Sequence, residues 1–433
     1  MPSSISFRGI KTDFFFLMHI LILGAGVIGV TTAYELLKAG HKVTVIDRQP
    51  EPALETSFGN AGLIAPGHSY AWTTPKLPGN LFNSLYDKKR AFRFKFQWDP
   101  AMWYWGIQFI RQCTQKRMAE NTLRKHRISS YSQQCFHQLI DETNIKYHEN
   151  KKGLIYFFRS KASFLEGKQK LAMLKPVMNN LQILNREELL IKEPALSGAQ
   201  SKLFGGIYCP SDESGSCRDF TLSMVDICKK KGATFQFNTT IQNIENDKRN
   251  IKKIITDKGG FQGDKYVLAC AAYSPIIAKM AGDYLPIYPV KGYSITVPII
   301  NHGKVPIHSG IDEDNMMAFS LMGDFLRFTS VAEISGYDTS HKPSDFTEIV
   351  NIAESLFSQA CDFSKVEYWA GLRPMTPNGA PIFGRGKMDN LYFNTGHGHL
   401  GWTMCTGSAK ITASLISGQK PELDLEGMTL ATA

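Results

Sequence analysis

Residues 19–48 read HILILGAGVIGVTTAYELLKAGHKVTVIDR. The apolar run around Leu21–Leu23 predicts a buried parallel strand, and it breaks at once into Gly24-Ala25-Gly26-Val27-Ile28-Gly29. A GxGxxG that follows a strand and opens a helix has a mechanical reading. Gly24 permits the tight turn, Gly26 admits a pyrophosphate against bare backbone, and Gly29 lets the helix pack closely on the strand. Ala25, Val27 and Ile28 belong to the same cradle, where unpaired N–H groups at the helix N-terminus hold the anion. The helix from Val27 to Ala39 is predicted to stop at Gly40, and Lys42–Ile46 alternates into a second strand closed by Asp47. That carboxylate is placed to accept hydrogen bonds from ribose hydroxyls and to repel a 2′-phosphate. Strand, glycines, helix, strand and acid in this order predict nucleotide binding, where a lone GxGxxG would predict only a turn.

At 433 residues, with 43% hydrophobic and 20% charged residues, the chain has the composition of a folded protein of two domains or of one with an inserted lobe. Its formal net charge of +10 favours an anionic partner, and acidic lipid headgroups fit that better than nucleic acid, for which no binding motif is present. The eight cysteines form no CxxC pair and no histidine cluster has metal spacing. This predicts reduced thiols in a cytoplasmic protein and no metal site. Met1–Leu17 imitates a signal peptide but runs straight into the first strand, so its removal would cost the strand, and Met18 serves equally well as a start. No other segment is apolar for long enough to span a bilayer, which leaves a soluble protein or one lying on a membrane surface.

Directly after Asp47 comes ALETSFGNAGLIAPG, residues 53–67. Thr56, Ser57 and Asn60 can bond phosphate or ribitol oxygens, Gly59, Ala61 and Gly62 admit a flat ring system, and Leu63 and Ile64 complete the lining. Residues 68–130 are aromatic and basic, with Trp72, the run from Asp87 to Trp98, Trp103-Tyr104-Trp105 and Phe109. They read as an aromatic stripe packed into the core or as a face for the membrane interface, the first being favoured. Strands are predicted at Lys152–Phe158 and Gly205–Cys209, and helices at Ser163–Met178, Glu120–Thr143 and Phe220–Lys231. Further strands in Ala233–Ile244 and Tyr266–Cys270 restore the opening α/β pattern, so the nucleotide unit is completed by distant sequence. Tyr288–Thr296 and Asn315–Val331 predict a mostly antiparallel sheet in a second lobe. Leu391–Asn394, the glycine loop Thr395–Gly401 and a helix from Trp402 to Ser417 form a second strand–loop–helix, its helix N-terminus turned to the cofactor. The expected architecture is α/β, with a Rossmann-like domain from residues 18–85, 201–288 and 366–420 and a mixed antiparallel substrate domain from 86–200 and 289–365.

The segments LILGAGVIGV, ETSFGNAG, PVKGYSIT, WAGLRPMTPNGAPIFGR and NTGHGHLGWTM, in this order and spanning nearly the whole chain from Met18, closely resemble the bacterial D-amino acid dehydrogenases. These belong to the D-amino acid oxidase and glycine oxidase group of flavoproteins. The resemblance implies a glutathione-reductase-type FAD domain and FAD as cofactor. It further implies oxidation of a D-amino acid to its imino acid, hydrolysis to a 2-oxo acid and ammonia, and electron transfer to a quinone or other carrier, on the cytoplasmic face of a membrane. Carried over by position, Gly24, Gly26 and Gly29 hold the pyrophosphate, Asp47 the adenosine ribose with Arg48 beside it, and Ile241 offers backbone to the adenine. Ser57, Asn60, Ala61 and Gly62 lie by the phosphates and the flavin edge. Gly396, His397, Gly398, Leu400, Gly401, Trp402 and Thr403 surround the pyrimidine side of the flavin.

Arg373, flanked by Gly371 and Pro374, matches the group's carboxylate-binding arginine, and a guanidinium does grip a carboxylate through two parallel hydrogen bonds. His397 is a candidate to modulate charge by the flavin. Three positions depart from the group's pattern. Asn315–Leu321 lacks the usual tyrosine, Arg327-Phe328-Thr329-Ser330 replaces an arginine followed by a glycine pair, and Ala271 replaces a glycine. Tyr293 and Tyr273 remain as the aromatic candidates for the pocket. Three other readings stay open: an oxidase or dehydrogenase of glycine, sarcosine or a D-hydroxyproline; a NAD enzyme, disfavoured because NAD needs no second glycine loop; and a catalytically silent, membrane-associated flavoprotein.

Overall fold

The computed structural model describes residues 17–79, 92–178 and 180–432; the expectations for residues 1–16 and for residues 87–91 of the basic run lie outside the described residues. The first strand, His19–Leu23, has Ile20 to Leu23 wholly buried, as a strand covered on both faces requires. It stands at the centre of a six-stranded sheet. Lys42–Ile46 and Thr234–Gln236 lie to one side, Lys265–Leu268 and Leu391–Thr395 to the other, all parallel, and Ile382–Arg385 is an antiparallel edge. One face carries the helices Val27–Lys38, Cys217–Lys230 and Gly401–Ile416, with the 29-residue helix Gln115–Thr143 packed on the last. The other face packs on the three-stranded antiparallel sheet Ile241–Asn246, Ile251–Thr256 and Gly259–Phe261 and on the short helix Ser274–Met280.

The second lobe is one nine-stranded, mostly antiparallel sheet, with the long strands Glu367–Met375, Tyr288–Pro298 and Phe325–Ile334 side by side at one end and Glu367–Met375 at the edge. Two strands assigned by sequence to the nucleotide domain belong here. Gly205–Cys209 pairs with Leu154–Phe158, and Glu367–Met375 pairs with Tyr288–Pro298. Both are apolar runs without a local signal of which sheet they join, and the pairing partner decides. The segment predicted as one strand across Ala233–Ile244 is divided between two sheets, with Asn238 at φ +51° in the break.

The helix Pro100–Arg111 buries one aromatic face in the core, as the favoured reading expects, and exposes another. Met102, Trp105 and Phe109 are buried against Tyr288 and Val290, and the Trp105 indole donates to the Met375 carbonyl at 2.8 Å. Trp103, Tyr104, Ile107 and Ile110 face outward, beside Phe96 and a Trp98 that is 91% exposed.

Candidate active site

The glycine turn has the geometry its sequence demands. Gly24 sits at φ +111°, and a Cβ there would lie 2.6 Å from the Ala269 carbonyl oxygen; a Cβ on Gly29 would lie 1.9 Å from the carbonyl oxygen of Gly24. Helix Val27–Lys38 begins at Gly26 without a side-chain cap of its own, and Ser57 Oγ accepts the Val27 N–H from outside at 3.1 Å. Helix Gly401–Ile416 also starts uncapped, after a loop in which Gly396 and Gly398 have φ of +79° and +57°. That loop is strapped to the strand of Arg373, since the Gly398 N–H donates to Pro374 O at 3.0 Å and His397 bridges Met375.

Both helix N-termini open on a single cavity of about 480 Å³. Gly26, Val27, Ile28, Ser57, Asn60, Ala61 and Leu63 line one part of it, Ala271, Gly371 and Arg373 another, and His397, Gly398, Leu400, Gly401 and Trp402 a third. Five segments far apart in the chain thus converge on it. The residues fit a flavin dinucleotide: helix termini supply donors for its phosphates, glycines keep the walls bare, and the buried Trp402 indole N–H has no acceptor among the described residues.

Other predicted residues stand behind this lining. Asp47 Oδ2 accepts the Ala25 N–H at 2.6 Å and Oδ1 that of Gln49 at 2.8 Å; burial raises its pKa while these bonds oppose the rise. Arg48 lies 3.9 Å over the Tyr273 ring and pairs with Glu55 at 2.6 Å, so Tyr273 serves as a platform for Arg48 outside the cavity. Ile241 opens the small antiparallel sheet, close to the end of the second strand through the bond from Thr239 N to Asp47 O. Asn60 Oδ1 closes its own loop on the Gly62 N–H, and Gly62, at φ +76°, lies under Met322 and Ser320. Thr403 Oγ1 bonds Leu63 O and the Ala65 N–H, fixing Leu63–Ile64, whose Ile64 is core. Ala271 holds φ +47°, the left-handed conformation that a glycine adopts freely.

Two candidates are corrected. Tyr293 does not reach the cavity; its strand neighbour Gly292 does, and alternation turns Tyr293 to the opposite face, against Phe346 and with its hydroxyl on Glu333. The His397 imidazole bonds Ser408 Oγ at 2.9 Å in the core, and burial pushes its pKa down to about 3, so it stays neutral and brings no charge. The histidine two residues on is the one stacked at the site: the His399 ring lies 4.6 Å from that of Trp72.

Sequence reasoning missed four further participants. Trp72 also sits 5.9 Å from the Arg373 guanidinium, which makes it a wall of the cavity. The Trp369 ring occupies the space that side chains at Gly59 and Gly371 would need, each Cβ falling 2.0 Å from an indole atom. His68 and Glu313 pair at 2.5 Å in the cavity wall, near Tyr70 and Lys170. Burial works to raise the Glu313 pKa, and His68 outweighs it and holds the group below the usual range. The W-x-G spacing of Trp369 and Gly371 was the available signal; none pointed to Glu313.

Arg373 donates through Nη1 to the Val331 carbonyl at 2.7 Å. Burial lowers its pKa to about 10, still charged at neutral pH, and no carboxylate lies within ion-pair distance of it among the described residues. Such a guanidinium has the charge and the free donors to bind an acid group. No three histidine, cysteine or acidic side chains are grouped for a metal among the described residues.

Comparison with known proteins agrees with this geometry. The family model described as FAD dependent oxidoreductase matches residues 19–415. The chain is 40% identical to D-amino acid dehydrogenase 2 of Mesorhizobium japonicum, over 95% of this chain and 99% of the relative. It is 41% identical to a D-amino acid dehydrogenase of Bradyrhizobium diazoefficiens, over 95% and 98%. In fold it is similar to glycine oxidase from Geobacillus kaustophilus, with a TM-score of 0.73 and 20% identity over 95% of this chain and 98% of that one. It is likewise similar to L-proline dehydrogenase from P. horikoshii, with a TM-score of 0.72 and 18% identity over 95% and 96%. With its two glycine turns closing on one cavity and its match from the first strand to the last helix, this chain belongs to the family of FAD-dependent oxidoreductases.

Proposed function

We propose that the protein oxidises D-amino acids to imino acids, which water converts to 2-oxo acids and ammonia, and that the electrons leave to a quinone or another carrier. The observation that carries this reading is Arg373, a charged guanidinium in the cavity wall without an anionic partner among the described residues. Its two-pronged grip fixes the substrate carboxylate, so that the Cα–H has one orientation relative to the ring site between the glycine turns. FAD, when bound, supplies the acceptor for the hydride that leaves Cα. Trp72 and Trp369 give the cavity apolar aromatic walls beside Arg373. Burial lowers the pKa of both His397 and His399, so neither adds positive charge beside the substrate amine. The names of the relatives support a D-amino acid over the L-enantiomer.

Replacing Arg373 with Leu should raise KM for D-amino acids at least 100-fold with FAD still bound, the loss of a charge-assisted bidentate contact being worth about 3 kcal/mol. An unchanged KM refutes the role. Anaerobic bleaching of the flavin across D- and L-amino acids, glycine, sarcosine and D-hydroxyproline identifies the substrate, and dye reduction compared with peroxide production identifies the class of acceptor. We further propose that the protein rests on an anionic membrane surface, where a quinone is reached. The exposed ring cluster of Phe96, Trp98, Trp103 and Tyr104 beside basic residues supports this, and no helix among the described residues is long and apolar enough to cross a membrane.

A further inference from the structure

The strand Phe325–Ile334 pairs with Tyr288–Pro298 in a register that slips once. Lys291 faces Glu333 and Tyr293 faces Ser330, so two steps on one strand match three on the other and an extra residue bulges out. Within this bulge Val331 holds φ +63°. A left-handed bulge position is ordinarily glycine, and a β-branched side chain there is a backbone outlier of the kind that is retained at functional sites. The turned carbonyl of Val331 receives Arg373 Nη1 at 2.7 Å. Arg373 is two strands away from Val331, and its side chain crosses the strand between them. It crosses over Gly292, where a Cβ would lie 2.4 Å from Arg373 Cζ and 2.5 Å from both terminal nitrogens.

We infer that Val331 and Gly292 are positioning residues of the carboxylate site: the bulge turns the Val331 carbonyl onto one edge of the Arg373 fork, the bare Cα of Gly292 forms the bed on which the fork lies, and the edge left over is aimed at the substrate. The inference rests on the reading of Arg373 as the carboxylate receptor. It also explains why a strained turn stands in the middle of an otherwise regular sheet, since the flat pairing would point that carbonyl along the ladder and leave the guanidinium free to swing.

The test uses the full-length holoenzyme, with KM and kcat for a D-amino acid and the affinity for its 2-oxo acid product read from the flavin absorbance. Gly292→Ala should raise KM and weaken product binding at least tenfold while kcat stays within threefold and flavin content is unchanged. Val331→Pro, which cannot adopt a positive φ, should act in the same direction, and Val331→Gly, which keeps the turn, should restore KM to within threefold of the parent. A general loss of stability would lower active fraction and kcat without moving KM, so the KM–kcat split separates positioning from mere structure. Should Arg373→Leu raise KM while Gly292→Ala leaves it unmoved, the positioning inference falls and the receptor reading stands. Should Arg373→Leu itself leave KM unmoved, the receptor reading falls, and the inference with it.

Discussion

Lys125, in the middle of the helix Gln115–Thr143, is 1% exposed and donates its Nζ to the Tyr70 carbonyl at 2.7 Å. Burial pushes its pKa down to about 7 from 10.5. Between those values the unfolded chain binds the extra proton, so stability rises with pH through that window and the gain is absent below pH 7. Lys125→Met should therefore flatten the Tm–pH curve of the holoprotein between pH 7 and 10, and an unaltered slope would show that the lysine stays charged when folded. At this scale, legibility followed locality. The glycines at 24, 26 and 29 were readable because their spacing after a strand is a local pattern, although the atoms that crowd Gly24 and Gly26 come from Ala269 and Ser57. Tyr293 was misplaced because its strand is buried on both faces and no polar alternation marks which side meets the cavity. His399 was passed over for His397 because two histidines in one glycine loop are chemically alike until the fold stacks one on Trp72 and ties the other to Ser408.

The element most exposed to a single methyl is the first turn. Gly29→Ala would place a Cβ 1.9 Å from the Gly24 carbonyl oxygen, backbone against backbone, with no side chain able to yield. The helix Val27–Lys38 must lift from its strand, which costs about 1–3 kcal/mol of overpacking strain and spoils the anion cradle. The purified variant should lose most of its 450 nm absorbance, and normal flavin content would show that the cradle tolerates the shift. The two strand–loop–helix units were legible as elements, since a buried, largely apolar run, a glycine break and a helical period occur in sequence at both. The sheet each strand joins was not, and Gly205–Cys209 and Glu367–Met375 show why: the pairings with Leu154–Phe158 and Tyr288–Pro298 join residues 47 to 87 positions apart.

Across the whole molecule, the net charge of +10 and the outward rings of Phe96, Trp98, Trp103 and Tyr104 are the two features on which the proposed membrane contact rests. Co-sedimentation with vesicles containing anionic lipid should fall as salt is raised and fall further in Trp98→Ser/Trp103→Ser, with turnover of a soluble dye unchanged. Equal binding to neutral vesicles at high salt would exclude an electrostatic contribution. The expected two-lobed plan was legible from the return of the α/β pattern late in the chain, while the cavity's acidic pair Glu313–His68 arises from segments 245 residues apart and leaves no trace in either. The terminal helix Gly401–Ile416 closes the cavity and packs on the very first helix. Because Gly26 and Gly401 line the same cavity from positions 375 residues apart, the flavin site is a product of long-range folding, and neither glycine turn makes it alone.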